Sequence, residues 1–207
     1  MQPQKYVLML DGGFVRKKLK TQHNRYATAE DIEQFCREIQ ATPELEQHHL
    51  LRIYYYDARP TNDIITHPIT KTKRDLGSGK FAETCRKRLQ KLELLPNFAV
   101  RLGVTRCTGW ELGHAALRRL TDPKRSNDVE SRDFVPNISQ KGVDMRIGLD
   151  ISQIAIKKLA DMLVLVTGDS DIIPAMKMAR KEGLLVYLHS MNHGVYRELK
   201  VHADRVL

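Results

Sequence analysis

The sequence predicts an α/β domain whose central sheet is mostly parallel and covered by helices on both faces. Short apolar runs alternate along the chain with segments of helical periodicity, which is typical of strands joined by helical crossovers. The runs are largely apolar, as expected for strands buried on both faces. A chain of 207 residues, 42% of them hydrophobic, is large enough for one such domain with a packed core.

Five apolar runs account for the predicted strands, and most are followed by glycine or a polar residue. They cover residues 6–10, 50–56, 98–104, 162–167 and 184–189. The helical segments repeat apolar residues every three or four positions, as Ile32, Phe35, Cys36 and Ile39 do. Helices are predicted over 29–40, 80–94, 143–159 and 172–182, with a short one near 195–203.

Two segments do not fit the alternation. Residues 58–79 contain two prolines and two glycines and are predicted to be a long loop. Residues 109–140 are interpreted as an insertion, helical near 112–120 and loose near 122–133. We expect a single domain over 1–207, with a basic loop-helix region at about 58–94 and this insertion at about 109–140.

The formal net charge is +9. Eight basic residues stand against two acidic ones between positions 71 and 91, a net +6, and this pattern favours a polyanionic partner, although a solvated surface would also explain it. The candidate phosphate contacts are Lys71, Lys73, Arg74, Lys80, Arg86, Lys87 and Lys91. A second basic cluster comprises Arg118, Arg119, Lys124 and Arg125.

The cysteines and the hydropathy indicate a cytoplasmic setting. Cys36, Cys85 and Cys107 are odd in number and widely spaced, which favours reduced thiols and argues against a zinc site. No apolar stretch approaches the ~20 residues of a membrane span, and the first apolar run reaches Asp11 too early for a signal peptide. His189 and His193 are interpreted as structural or surface residues.

Acidic residues stand where three predicted strands end. Asp11 and Asp57 each follow one strand, and Asp169 and Asp171 both follow the run at 162–167. Parallel strands bring their carboxyl ends to one edge of the sheet, where ligands bind in open α/β folds. Neighbouring carboxylates repel each other unless a cation lies between them, and Mg²⁺ prefers such oxygen ligands. The pattern therefore predicts a divalent metal site and phosphate chemistry.

Helical phase selects a further carboxylate from the segment at 143–159. Asp144 and Asp150 point about 240° apart at ~100° per residue, so they are not expected to share one site. Asp144 lies in the first turn, with Gly148 one turn along on its own face leaving room for another group. We expect Asp144 to join the site and Asp150 to face solvent, Gln153 or Lys157.

These residues fall in motifs that resemble a known family. QKGVDMRIGLDI (140–151) followed by LVTGDSDIIPAMKMARKEG (165–183) resembles the NYN domain, in its LabA-like branch of the PIN-like nuclease superfamily. MLDGGF (9–14), YYYDA (54–58) and HAD (202–204) are similar to further motifs of that branch. The resemblance implies a three-layer Rossmann-like (PIN-like) domain and metal-dependent ribonuclease activity, with an acidic site at Asp11, Asp144, Asp169 and Asp171.

The resemblance implies that these four carboxylates hold one or two Mg²⁺ or Mn²⁺ ions and catalyse hydrolysis of RNA phosphodiester bonds. The expected partner is RNA, single-stranded or structured, with homodimerisation left open. Many NYN domains have Asn three residues after the first Asp, whereas this chain has Phe14; Ser170 or Thr167 are candidates for the missing polar group. Tyr54–Tyr56 or Trp110 could stack on bases, although alternation within a strand favours burial of the tyrosines.

Other functions are weighed against the nuclease. A haloacid dehalogenase-type phosphatase needs an Asp two residues after the first, where this chain has Gly13. A Toprim-like DNA enzyme fits poorly because the upstream glutamate motif is missing. The main alternative is a catalytically weak or inactive protein that keeps the fold and acts as an RNA-binding or adaptor protein.

Overall fold

The predicted α/β architecture is confirmed in a computed structural model, which describes residues 3–122, 128–192, 194 and 197–207. The strands are β1 (Lys5–Asp11), β2 (His49–Ala58), β3 (Ile64–Thr66), β4 (Lys73–Asp75), β5 (Phe98–Leu112), β6 (Phe134–Lys141), β7 (Met162–Val166), β8 (Leu185–His189) and β9 (Arg205–Val206). The helices are α1 (Gly12–His23), α2 (Ala29–Gln40), α3 (Lys80–Glu93), α4 (His114–Leu120), α5 (Val143–Ile156), α6 (Ile173–Lys181) and α7 (Arg197–Val201). Two 3₁₀ turns lie at Ser131–Asp133 and Ser170–Ile172.

Seven strands form the central sheet in the order β6-β5-β2-β1-β7-β8-β9. All neighbours pair in parallel except β5 and β6, which are antiparallel. The strand β1 lies at the centre and pairs with β2 on one side and β7 on the other. The carboxyl ends of β1, β2 and β7 are therefore neighbours, as the sequence predicted.

Helices cover both faces of the sheet. Alternate residues of β1 point to opposite sides, so Leu8 packs in a core with α1, α2 and α3, whereas Met9 packs in a second core with α5 and α6. Both side chains are fully buried. These two cores fix the sheet between its helical layers and hold the carboxyl ends of the strands in place.

The helix α1 was not predicted, because Gly12 and Gly13 were interpreted as the end of a strand. Asp11 caps this helix by accepting a hydrogen bond from the Phe14 amide at 3.1 Å. Glycine is required at position 12 because a Cβ there would lie 2.4 Å from the Tyr56 carbonyl oxygen. Gly12 therefore allows close packing between the first turn of α1 and β2.

Two other segments differ from their predictions. Residues 58–79 are not entirely a loop, because β3 and β4 pair there as a small antiparallel hairpin. The segment interpreted as an insertion at 109–140 contains strands that were not predicted, since β5 extends to Leu112 and β6 pairs with it at the sheet edge. The predicted helix inside this segment is confirmed as α4. The end of the predicted helix at 195–203 is observed as α7, while Val195 lies outside the described residues, as do His193, Lys124 and Arg125.

None of the helices in the described ranges combines the length and the apolar character that a bilayer crossing demands.

Candidate active site

Asp11 stands at the junction between β1 and α1 and is held there by two hydrogen bonds. Its Oδ1 atom accepts from the Phe14 amide, and its Oδ2 atom accepts from the hydroxyl of Thr167 at 3.3 Å. The side chain is half-buried. The carboxylate is thus fixed at the carboxyl edge of the sheet by one group from α1 and one from the end of β7.

Thr167 connects Asp11 to the acidic turn that follows β7. Its Oγ1 atom accepts a hydrogen bond from the Asp169 amide at 3.1 Å while donating to Asp11. Asp169 in turn accepts from the Asp171 amide at 3.0 Å and caps the 3₁₀ turn at Ser170–Ile172. Ser170 is half-buried within that turn.

Asp144 lies in the first turn of α5 and is exposed. It lines a groove of about 510 Å³ between α5 and α6, together with Asp171 and Gly148. A Cβ on Gly148 would lie 3.9 Å from the Cβ of Ala175, so the small residues let the two helices approach. The groove therefore has Asp144 and Asp171 on one surface.

The carboxylates influence one another electrostatically. Burial raises the pKa of Asp11 above its usual value of 3.8, and the nearby charge of Asp144 raises it further, against the hydrogen bonds that lower it. Burial and the charges of Asp169 and Asp171 raise the pKa of Asp144. The two shifts show that negative charge is concentrated at this edge of the sheet.

The donor atoms fit a hard divalent cation, because the four groups offer carboxylate oxygens, which Mg²⁺ and Mn²⁺ prefer. In the part of the chain that the structure describes, none of the four forms an ion pair with Lys or Arg. Among all the residues that the structure describes, no three or more His, Cys, Asp or Glu side chains lie close enough together to form a ready-made metal site. A cation would have to draw these carboxylates together.

Asp57, the other strand-end acid, is separate from this group. It is fully buried and binds the guanidinium of Arg16 at 2.9 Å and that of Arg88 at 3.4 Å. It also accepts hydrogen bonds from the Tyr55 hydroxyl at 3.1 Å and from the Gln140 amide group at 3.0 Å. These partners compensate the charge of Asp57, so its role is to hold elements together.

Asp150 lies outside the acidic group, as expected. The prediction that it pairs with Gln153 or Lys157 is wrong. It accepts a hydrogen bond from the Tyr56 hydroxyl at 2.9 Å and forms an ion pair with Arg101 at 3.2 Å. Neither Gln153 nor Lys157 is its partner. Both actual partners come from the sheet, which α5 covers.

The candidate phosphate contacts divide into side chains that already contact another group of the protein and side chains that make no hydrogen bond or ion pair with the described residues. Lys87 and Lys91 are bound to Glu83 and Glu30, and Arg86 donates to Asn62 and to the Gly77 carbonyl. Lys71 donates to the Pro68 carbonyl, and Arg74 lies over the Trp110 ring. The side chains of Lys73 and Lys80 are exposed and make no hydrogen bond or ion pair with the described residues.

The aromatic candidates are mostly unsuited to stacking on bases. Tyr55 and Tyr56 are fully buried, which confirms the prediction of burial for these two, whereas Tyr54 is half-buried. Trp110 is half-buried with its ring 4.6 Å from that of His67. By contrast, Phe81 was not singled out from the sequence and is 46% exposed.

Arg16 and Gln140 beside the acidic site were also not predicted. Both reach Asp57, one from α1 and the other from β6, two elements absent from the predicted set. A single sequence gives no sign that these distant residues meet. The spacing of Val15 and Leu19, which are both buried in α1, was the one available indication of that helix.

Comparison with known proteins agrees with the architecture. The family model described as the NYN domain matches residues 101–207, a range that includes Asp144, Asp169 and Asp171 but not Asp11. An uncharacterized protein of Methanocaldococcus jannaschii is 27% identical over 96 residues, which are 46% of this chain and 40% of that protein. The chain therefore spans well under two thirds of that relative.

A crystal structure of a protein of unknown function from Vibrio parahaemolyticus has a similar fold. It aligns with a TM-score of 0.56 and 16% identity, covering 100% of this chain and 93% of the other. At this identity the similarity concerns the arrangement of helices and strands.

Proposed function

The chain belongs to the NYN domain family, and from this membership we propose that it is a metal-dependent endoribonuclease. NYN domains are part of the PIN-like nuclease superfamily, so a nuclease is the activity that the family favours. The proposal assigns Asp11, Asp144, Asp169 and Asp171 as the residues that hold Mg²⁺ or Mn²⁺. Motifs 140–151 and 165–183 support a place in the LabA-like branch, and the reduced cysteines support a cytoplasmic location.

The observation that carries the proposal is the concentration of carboxylates at the ends of β1 and β7 without a basic partner among the described residues. Bound Mg²⁺ or Mn²⁺ would supply Lewis-acid chemistry, which activates water and stabilises charge on a phosphodiester. Asp11 is the most constrained ligand candidate because Phe14 and Thr167 hold both of its oxygens. Asp144, Asp169 and Asp171 are exposed and therefore accessible to a cation.

The proposed partner is RNA, held by cations near the acidic site. Lys73 and Lys80 are the best candidates for phosphate contacts, because their ammonium groups are exposed and have no acidic partner among the described residues. Lys71 and Arg74 lie in the same basic segment. Arg86, Lys87 and Lys91 contribute less to RNA binding in this proposal, since each already binds a group of the protein.

The proposal is tested by comparing two aspartates on the same helix. Purified Asp144→Asn and Asp150→Asn proteins are incubated with labelled RNA and either Mg²⁺ or Mn²⁺, alongside Asp169→Asn. We expect cleavage to fall at least about 100-fold in Asp144→Asn and Asp169→Asn, because loss of a carboxylate weakens the metal site. Asp150→Asn should cleave like the unmodified protein. Unchanged cleavage in both site variants would contradict the assignment.

A second candidate function is RNA binding without efficient cleavage. It is favoured by Phe14, which stands where many NYN domains have Asn, and by the absence of a ready-made three-residue metal group among the described residues. RNA binding that weakens with salt, combined with no cleavage in either metal, would support this alternative. Metal-dependent cleavage abolished by Asp169→Asn would exclude it.

A further inference from the structure

A cavity of about 320 Å³ opens beside the acidic site and has no role in the proposed chemistry. The hairpin β3–β4, the first turns of α3 and the strands β5 and β6 enclose it. Ala58, the last residue of β2, also lines it, so the cavity lies at the carboxyl edge of the sheet. Its principal lining side chains are Arg16, Arg74, Phe81, Pro136, Ile138 and Gln140.

The cavity adjoins Asp11 through Gly13 and Gln140. A Cβ on Gly13 would lie 3.3 Å from Asp11 Oδ1 and 3.7 Å from Gln140 Oε1, so both side chains flank this glycine. The Gln140 Nε2 atom donates to Asp57 at 3.0 Å, which fixes the direction of the amide. Its Oε1 atom accepts no hydrogen bond from the described residues and is available to a donor on a ligand.

The walls of the cavity suit a flat, partly apolar ligand. Phe81 of α3 is 46% exposed, and Ile138 of β6, which also lines the cavity, is 48% exposed. The Phe81 ring is oriented by Tyr26, whose ring centroid is 5.7 Å away, and by the Arg16 guanidinium at 6.0 Å. An exposed aromatic side chain held in this way offers a surface on which a base can stack.

The positive charge around the cavity favours a ligand that is part of a polyanionic chain. Arg16 and Arg88 together carry one more charge than Asp57 neutralises, and Arg16 lines the cavity. Arg74 and Asp75 both line the cavity and offset each other, while Lys73 and Lys80 are exposed close by in sequence and add positive charge. A purely apolar ligand would leave these cations and Gln140 Oε1 unused, whereas a nucleotide presents a phosphate, hydrogen-bond donors and a flat ring.

We propose that this cavity binds the base of one unpaired nucleotide of an RNA strand whose backbone passes Asp11. The inference rests on the proposed function, because it takes RNA as the substrate. A base inside a duplex is stacked and paired on both sides, so it cannot enter the cavity without being unpaired. The site is therefore selective for single-stranded segments.

The test measures binding separately from cleavage. Short fluorescein-labelled oligoribonucleotides, intact or carrying one abasic position at successive sites, are titrated by anisotropy in EDTA so that metal-dependent cleavage is prevented. We expect the abasic substitution at the matching position to weaken binding about tenfold, since stacking of a base on an aromatic side chain contributes ~1–3 kcal/mol. Other positions should matter less.

Variants connect that loss to the cavity. Ile138→Trp fills the cavity and Phe81→Ala removes one wall; in both, intact and abasic strands should bind equally. Val135→Trp is the matched control, because Val135 is 39% exposed, lies on the same strand and does not line the cavity. It should preserve the tenfold difference. Since Phe81 is exposed, Phe81→Ala remains informative if Ile138→Trp does not fold.

The outcomes separate this inference from the proposed nuclease activity. Cleavage by the unmodified protein with no effect of any abasic position, or with the same effect in Phe81→Ala, overturns the base site and leaves the nuclease intact. An abasic effect that disappears in Phe81→Ala, in a protein that cuts no RNA, supports the base site and contradicts the nuclease. Equal binding of duplex and single strand also overturns the inference.

Discussion

The ring of Phe14 packs directly against the backbone of Gly168, so closely that a Cβ at position 168 would lie 2.6 Å from its Cε2 atom. Phe14 lies in the first turn of the helix that Asp11 caps, and Gly168 lies between Thr167 and Asp169. This contact therefore joins the two chain segments that carry the acidic site. It also gives Phe14 a packing role at the position where many NYN domains have Asn.

We predict that Gly168→Ala destabilises the protein by about 1–3 kcal/mol, because the ring of Phe14 must move to admit the new methyl group. Urea denaturation followed by circular dichroism measures the change. Gly194→Ala is the matched control, since a Cβ there would meet no atom of the described residues within 4 Å. Equal urea midpoints for the two variants would show that the Phe14 ring can move aside without loss of stability.

Asp57 gives the largest predicted loss of stability. Asp57→Asn leaves Arg16 and Arg88 without their buried counter-charge, so the free energy of unfolding should fall by about 3–5 kcal/mol. Asp150→Asn removes a more exposed ion pair with Arg101 and should cost less than about 1 kcal/mol. Chemical denaturation of both variants tests this difference. A loss below 1 kcal/mol for Asp57→Asn would contradict the structural role assigned to Asp57.

The raised pKa of Asp11 predicts the sign of a pH effect on stability. A carboxyl whose pKa is higher in the folded state stabilises the protein below its usual pKa of 3.8, and this contribution is lost as pH rises through the folded value. In EDTA, Asp11→Asn should therefore be more stable than the unmodified protein near neutral pH, since Asn also caps helices well. Thermal denaturation from about pH 3, below the usual carboxyl pKa, to about pH 8 measures the difference.

The same experiment with Mn²⁺ provides the control. Metal binding to the folded state should raise the melting temperature of the unmodified protein and should have a smaller effect on Asp11→Asn. If Mn²⁺ stabilises both proteins equally, Asp11 does not contribute to metal binding.

The division of the basic residues predicts unequal contributions to RNA binding. Lys80→Gln should weaken binding to single-stranded RNA and reduce the slope of log K against log salt by about 0.7, because one phosphate contact is lost. Lys91→Gln should change the slope much less, since Lys91 is bound to Glu30 at 2.5 Å. Anisotropy titrations over a range of KCl concentrations measure both slopes. Equal reductions would show that the Glu30 ion pair does not withhold Lys91 from RNA.

The buried parallel strands and the amphipathic helices were predictable because their local patterns agree with their tertiary environment. The bounds of α2 match the prediction, and Ile32 and Ile39 are buried as its stripe required. In α1, many lysines and two glycines obscure the helical pattern, and its buried positions are few. The strand β6 was not predicted. It is an edge strand that contains Pro136, and buried and exposed residues do not alternate regularly along it.

The sequence could indicate that Asp11 lies near Asp169 and Asp171, because parallel neighbouring strands end at the same edge of the sheet. The burial of Asp57 between two arginines could not be predicted. Arg16 belongs to α1 and Arg88 to α3, and both helices are distant from Asp57 in the sequence. Nothing in the sequence distinguishes a strand-end aspartate that faces the site from one that is buried under guanidinium groups. The partners of Asp150 depend in the same way on how α5 lies over the sheet.

The two outer strands of the sheet have consequences for self-association. On one side, β9 contains two residues, and on the other β6 carries Pro136, whose nitrogen has no hydrogen to donate. The short β9 offers few backbone groups to a strand from another molecule, and Pro136 interrupts the row of donors along β6; both features disfavour fibril-like aggregation by strand addition. Any assembly of copies of this chain is therefore expected to form through helical surfaces, such as the exposed Met145 and Leu149 of α5.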